Sequence, residues 1–226
     1  MAGAKTATVA PAAATPRAAA TPVPVAASGF ASAVQRLETA KSYQFSFNAT
    51  LISKLEGQTS ELQFSGSGAV AGDRFRSRVN GPADSFFEVV HAASKTLCRD
   101  PRGVRSEGCT KAWGGPGKGA SPYVLLAYFR QADTASVQPV ASDGGRRRFE
   151  FAALLPRVAA SDPALRTALE GVQSVIGVLG VDAGTGYPTQ QQVTVRARGA
   201  NGDETVTATL GFSGFDQPVT IDLPSQ

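Results

Sequence analysis

The chain has 226 residues, of which 42% are hydrophobic and 18% charged, and a formal net charge of +4. That is enough apolar sequence for one globular domain with a real core, which excludes a wholly disordered chain. Lys and Arg are scattered without an aromatic-interleaved basic stripe, and no apolar run reaches about 18 residues. Nucleic-acid binding and a membrane-spanning helix are therefore both disfavoured.

Residues 1–27 are rich in Ala, Thr, Pro and Val, with Lys5 and Arg17 as the charges. Proline fixes φ and removes a backbone donor, so this composition predicts an extended, largely disordered stalk. It lacks the basic start and long apolar run of a signal peptide. The folded domain is expected over 28–226.

Ser28 is placed to cap a first helix, whose apolar stripe comprises Phe30, Val34 and Leu37 with Ala33 and Ala40 beside them. Tyr43, Phe45, Phe47, Ala49 and Leu51 then alternate with polar residues, as do Leu62, Phe64, Gly66, Gly68 and Val70. Gly66 and Gly68 fall on the apolar face. They mark either a bulge that curves the sheet or a close approach to the backbone. Further strands are predicted over 74–80 and 85–92, the latter containing Phe87.

Ser121-Pro122 opens a second helix, since proline is welcome at the first helical position. Its stretch from Tyr123 to Phe129, with Leu125 and Leu126, is apolar nearly all round and must be enclosed or face a lipid-like space. Strands over 136–142 and 146–154 flank an Asp-Gly-Gly turn. A third helix follows, capped by Ser161 or Asp162, with Pro163 at its start and Leu165 and Leu169 four apart. Strands over 171–182, 189–199 and 204–215 and an extended tail over 218–224 complete the chain. These short connections leave no room for parallel crossovers, so the sheet should be antiparallel and curved, with the helices covering its apolar face.

Cys98 and Cys109 enclose ten residues, a spacing wrong for a zinc pair or a C-x-x-C motif. It suits a disulfide, which together with the stalk points to an oxidising, exported setting; two buried reduced thiols are the alternative. The sequence predicts no cofactor and no metal site. The glycines of 114–119 do not fit a phosphate loop, because Lys118 is followed by Gly119. His91 is the only histidine, and Gly211-Phe-Ser-Gly214 lacks the spacing of a nucleophile elbow, so no catalytic residue is assigned. Arg146-Arg-Arg148 reads as an anion contact or as a solvated strand end. The apolar face under the helices is either a packed core or a pocket, and composition does not choose between them.

In element order the chain resembles the LolA-like superfamily, in particular the LppX and LprG type of mycobacterial lipid-carrying lipoproteins. The resemblance is carried by the opening helix running into Ser42-Tyr-Gln-Phe-Ser-Phe47, by 64–76, by Ser121-Pro-Tyr-Val-Leu-Leu126, by Val181-Asp-Ala-Gly-Thr-Gly-Tyr-Pro188 and by 212–224. It spans nearly all of 28–224. What it implies is an α+β half-barrel, a strongly curved antiparallel sheet wrapped over about three helices, with acyl chains held between the layers. The lining would comprise Phe45, Phe47, Phe64, Phe87, Leu125, Leu126 and Phe129. It further implies an exported, monomeric, non-catalytic carrier whose partners are a lipid or lipidated ligand, the membrane surface through an N-terminal lipid anchor, and possible exchange with a membrane transporter. The cysteine pair is not carried over from the family, and no lipobox cysteine is present. The competing reading is a ligand-free extracellular interaction or sensor module of the same fold.

Overall fold

Period-two alternation gives a strand one dry and one wet face, and this accounts for most of the architecture. The computed structural model of the chain describes residues 25–199 and 202–223. In the N-terminal half, α1 (Val25–Thr39) precedes β1 (Ser42–Leu55), β2 (Gln58–Ala71), β3 (Arg74–Asn80), β4 (Phe86–Ala92), β5 (Lys95–Asp100) and β6 (Gly103–Arg105). A long segment carrying α2 (Pro122–Arg130) leads to β7 (Gln138–Asp143) and β8 (Arg146–Ala152). Then come α3 (Leu155–Ser161), α4 (Pro163–Ala168), β9 (Val172–Asp182), β10 (Pro188–Gly199) and β11 (Gly202–Ser213).

The strands form one eleven-stranded sheet in the order β6-β5-β4-β3-β2-β1-β11-β10-β9-β8-β7. Each half is an antiparallel meander, and the halves join where β1 pairs with β11. The chain must therefore cross from the edge strand β6 to the opposite edge strand β7. It crosses on the concave side and leaves α2 there, which is how a helix with seven buried residues comes to be enclosed. The result is the expected α+β curved half-barrel, with four helices rather than about three.

The interior is continuous. The dry face of β1 sets Phe45 opposite Phe212 and Phe47 opposite Leu210 on β11. On its other side Phe45 faces Gly68 and Phe47 faces Gly66. The β1–β2 register runs unbroken from Ser42–Ala71 to Leu55–Gln58, so the glycines do not make a bulge. A Cβ at Gly68 would collide with the Phe45 ring and the Arg76 carbonyl, and one at Gly66 with the Arg78 carbonyl. Close approach is what these glycines permit. Phe30 of α1 packs on Phe149 and Phe151 of β8, with ring centroids 6.2 and 5.5 Å away.

Several local expectations are corrected, while the Asp162 cap and the disulfide are found as expected. Ser28 does not cap α1, which already begins at Val25; Ser28 accepts a bond through its carbonyl from the Ser32 hydroxyl at 2.9 Å. The segment 95–105, for which the sequence pattern predicts no strand, forms β5 and β6, with Asp100 turning the chain by accepting the Arg102 N–H at 2.9 Å. The strand expected to reach Leu154 stops at Ala152, because Pro156 starts the unforeseen helix α3. Asp162 is the cap of α4, accepting the Ala164 N–H at 2.8 Å. The Cys98–Cys109 disulfide is formed, with Cα atoms 5.8 Å apart. It ties β5 to the segment that leads into α2, and closing a loop of this size contributes about 3 kcal/mol. Of the stalk expected over 1–27, residues 25–27 belong to α1 and residues 1–24 lie outside the described residues, as do the last tail residues, 224–226.

Candidate functional site

The sequence-derived lining residues fall in three groups. Phe45 and Phe47 on β1, and Leu125, Leu126 and Phe129 on α2, are buried in the common core. Phe64 on β2 is half-buried at the edge of that core. Phe87 on β4 is half-buried and meets Trp113 edge-on at 5.5 Å. The space between sheet and helices is thus filled by these side chains, and only Leu126 among the seven also lines the cleft described next.

That cleft, of about 350 Å³, opens where the end of α1, the start of β1, the β2–β3 turn and the end of α2 meet. Its floor is Leu37, Val70, Phe75 and Leu126. Phe75 is the bridge to the core: it stacks on Phe45 at 6.1 Å on one side and meets Tyr123 edge-on at 5.2 Å on the other. An apolar floor backed by packed rings offers dispersion contacts without a costly sealed void.

Three cations line the walls, Arg74, Lys111 and Arg130, against the exposed carboxylates Glu38 and Asp73. Each cation has different commitments. Arg74 is exposed and donates to the Ile221 carbonyl at 3.1 Å, which pins the C-terminal segment. Lys111 lies 3.7 Å from the Asp162 carboxylate and 3.5 Å from the Tyr123 hydroxyl. Tyr123 in turn donates to Asp162 at 2.6 Å. Arg130 forms no ion pair among the described residues. It donates through Nη2 to the Tyr43 hydroxyl at 3.1 Å, and its buried Nε–H meets no acceptor. A buried donor left unmet costs about 1–3 kcal/mol, so this position is unfavourable for the empty protein. The C-terminal dipole of α2 accounts for a cation here, but not for the unused N–H.

The titrating groups follow from this arrangement. Burial raises the Tyr43 hydroxyl above its ordinary value, with the nearby Arg130 pulling the other way, so Tyr43 stays protonated. Burial also raises Tyr123, reinforced by its bond to Asp162. Burial alone would raise Asp162, but the bonds from Tyr123, the Ala164 N–H and Lys111 together hold it below the usual carboxylate range. His91 is pushed down, first by burial and then by Lys111, against the opposing pull of Asp73 and Asp162. Its ring nitrogen Nδ1 is engaged with the Thr96 hydroxyl at 2.8 Å.

Sequence reasoning missed Arg130 and Lys111. Arg130 is the one charge on an otherwise apolar helix, which was a readable signal; Lys111 gave none. The arginines 146–148 do not enter the cleft. Arg146 and Arg148 flank a separate hollow with Gln190 and Gln192, on the opposite face of the strand from the buried Phe149 and Phe151.

No family model matches the sequence, and no curated protein is significantly similar to it. Solved structures do match. The lipoprotein LppX of Mycobacterium tuberculosis aligns with 87% of this chain and 98% of its own, with a TM-score of 0.52 at 9% identity. LprF of Mycobacterium bovis aligns with 92% of this chain and 100% of its own, with a TM-score of 0.47 at 14% identity. At such identities the likeness concerns backbone architecture. The chain has the LolA-like fold of the LppX type.

Proposed function

We propose that the protein is an exported, non-catalytic lipid-binding protein of the bacterial cell envelope, holding acyl chains that enter through the cleft beside Leu126. The observation that carries this reading is the cleft itself: an apolar floor continuous with the aromatic core, under a rim with an unneutralised guanidinium. Burying one methylene is worth about 0.8 kcal/mol, so half a dozen on this floor contribute about 5 kcal/mol. A longer chain requires α1 and α2 to part from the sheet, with Phe45, Phe47, Phe64, Phe87, Leu125 and Phe129 then exchanging contacts with each other for contacts with lipid. Loading and unloading would follow mass action.

The fold shared with a lipoprotein and the formed disulfide support an exported setting. No helix among the described residues is long and apolar enough to cross a membrane. Attachment through an N-terminal lipid anchor and delivery to a membrane transporter belong to the same proposal. The filled interior favours a second reading, a ligand-free interaction module that keeps its core closed.

Native mass spectrometry of the purified protein, with solvent extraction of the same sample, separates the two. Lipid-mass adducts that solvent releases, and that Leu126→Arg abolishes in a folded variant, are expected of a carrier. A polypeptide that stays bare after incubation with bacterial lipid extract would sink the carrier reading and leave the module.

A further inference from the structure

Resting on the lipid-binding reading, we infer that the cleft selects an anionic, single-chain amphiphile, whose carboxylate or phosphate is received by Arg130 and Tyr43. Two neighbouring residues in the lining of the cleft hold unspent donors. The Arg130 Nε–H is buried without an acceptor, while Nη2 is already directed by the Tyr43 oxygen. The Tyr43 hydroxyl accepts from Arg130 and donates to no acceptor among the described residues, although its ring is buried. An oxyanion placed between them would take one charge-assisted bond from each, and no other common lipid headgroup chemistry supplies acceptors to two donors and a counter-charge to the guanidinium.

The neighbouring groups fit this division. Tyr123 and Lys111 are both committed to Asp162, and the charges of Lys111 and Asp162 largely cancel locally. Glu38 and Asp73 sit at the exposed rim, where solvent screens them, whereas Arg130 is partly withdrawn from solvent. Screened there, the two carboxylates oppose an anion only weakly, and the Arg130 wall offers it a cation with no ion pair among the described residues. Size adds a second constraint. A cleft of about 350 Å³ lies near the lower end of the usual range for ligand sites, roughly 300–1,000 Å³, and suits one chain better than several.

The test is calorimetric titration of the full chain with dodecanoate, dodecyl phosphate, dodecanol, acetate and inorganic phosphate, repeated on Arg130→Gln, Arg130→Lys and Tyr43→Phe, with a thermal melt of each variant. Dodecanoate and dodecyl phosphate should bind the native protein about tenfold to a hundredfold more tightly than dodecanol, and Arg130→Gln should close that gap by weakening the two anions far more than dodecanol. Tyr43→Phe should narrow it, and Arg130→Lys should restore it only in part, because an ammonium lacks the planar fork. Equal binding of dodecanoate and dodecanol by the native protein would overturn the headgroup inference and leave lipid binding intact. Acetate or inorganic phosphate binding as tightly as the amphiphiles would make this a free-anion site and overturn the amphiphile class. Should Arg130→Gln fail to fold, a gap left undiminished by Tyr43→Phe and fully kept by Arg130→Lys would refute the geometry. No binding of any amphiphile would defeat the lipid reading itself.

Discussion

The interior beneath α2 and the cleft at its end are built from adjoining residues, yet they are satisfied to different degrees. In the interior, Phe129, Leu125 and Phe47 are enclosed by their neighbours, and the buried Gln191 donates to the Leu125 carbonyl at 2.9 Å while its Oε1 accepts no bond. In the cleft, Leu37 and Phe75 make an equally apolar floor, but Arg130 and Tyr43 hold donors that nothing uses. What the interior leaves unmet is neutral and sealed among packed side chains, Gln191 Oε1 for example. What the cleft leaves unmet is the Nε–H of a guanidinium at its wall, a charged donor that an arriving anion would satisfy.

If this contrast is right, changes in the two regions should separate on two readouts, melting and lipid affinity. Phe129→Ala should have the largest effect on folding, costing about 3–5 kcal/mol in a denaturant melt, because a fully buried ring leaves a void in a close-packed core. Reduction of Cys98–Cys109 comes next. It should cost about 3 kcal/mol, a fall of about 6–12 °C in Tm, and should loosen the segment leading into α2. Gly68→Ala should cost about 1–3 kcal/mol, since the Phe45 ring occupies the space a methyl needs.

Arg130→Gln should behave in the opposite way, with a change in stability under about 1 kcal/mol, because relief of an unmet donor offsets loss of the bond to the Tyr43 hydroxyl, and with a clear loss of preference for anionic amphiphiles. An Arg130→Gln melt displaced as far as that of Phe129→Ala would erase the distinction between the regions.

The smallest effect concerns pH. His91 titrates below its ordinary value of 6.5 in the folded protein, so the unfolded chain takes up that proton more readily. Its contribution is therefore complete above about pH 6.5 and declines as the pH falls through that value toward the depressed one. Tm measured from about pH 7.5 down to about pH 5.5 should drop slightly more for the native chain than for His91→Gln. The reverse order would mean that Asp73 and Asp162 govern the imidazole rather than burial and Lys111.

Much of the fold was legible because alternation is a local signal. The strands around Phe45, Phe75, Val193 and Val206 follow from period two, and Pro122 and Pro163 announced α2 and α4. The missed elements are those in which the pattern is short or shared. Leu97 and Cys98 on β5 are buried on opposite faces, so the segment shows no alternation to read. Pro156 marked the start of α3, but the apolar pair Leu154-Leu155 ahead of it reads equally well as strand. The cleft was less legible than the fold. Its members come from positions 37 to 130 and meet only because the chain crosses the sheet from edge to edge, a tertiary fact with no local trace. The aromatic residues singled out from their apolar character belong to the core behind it.

The account's central claim is that lipid enters at the cleft between the ends of α1 and α2. Photolabelling with a fatty acid carrying a diazirine along its chain, followed by peptide mapping, tests it directly. The label is expected on Leu37, Val70, Phe75 and Leu126, and should be displaced by unlabelled dodecanoate. Label confined to the convex face, around Ser46, Ser67 and Thr220, would contradict it.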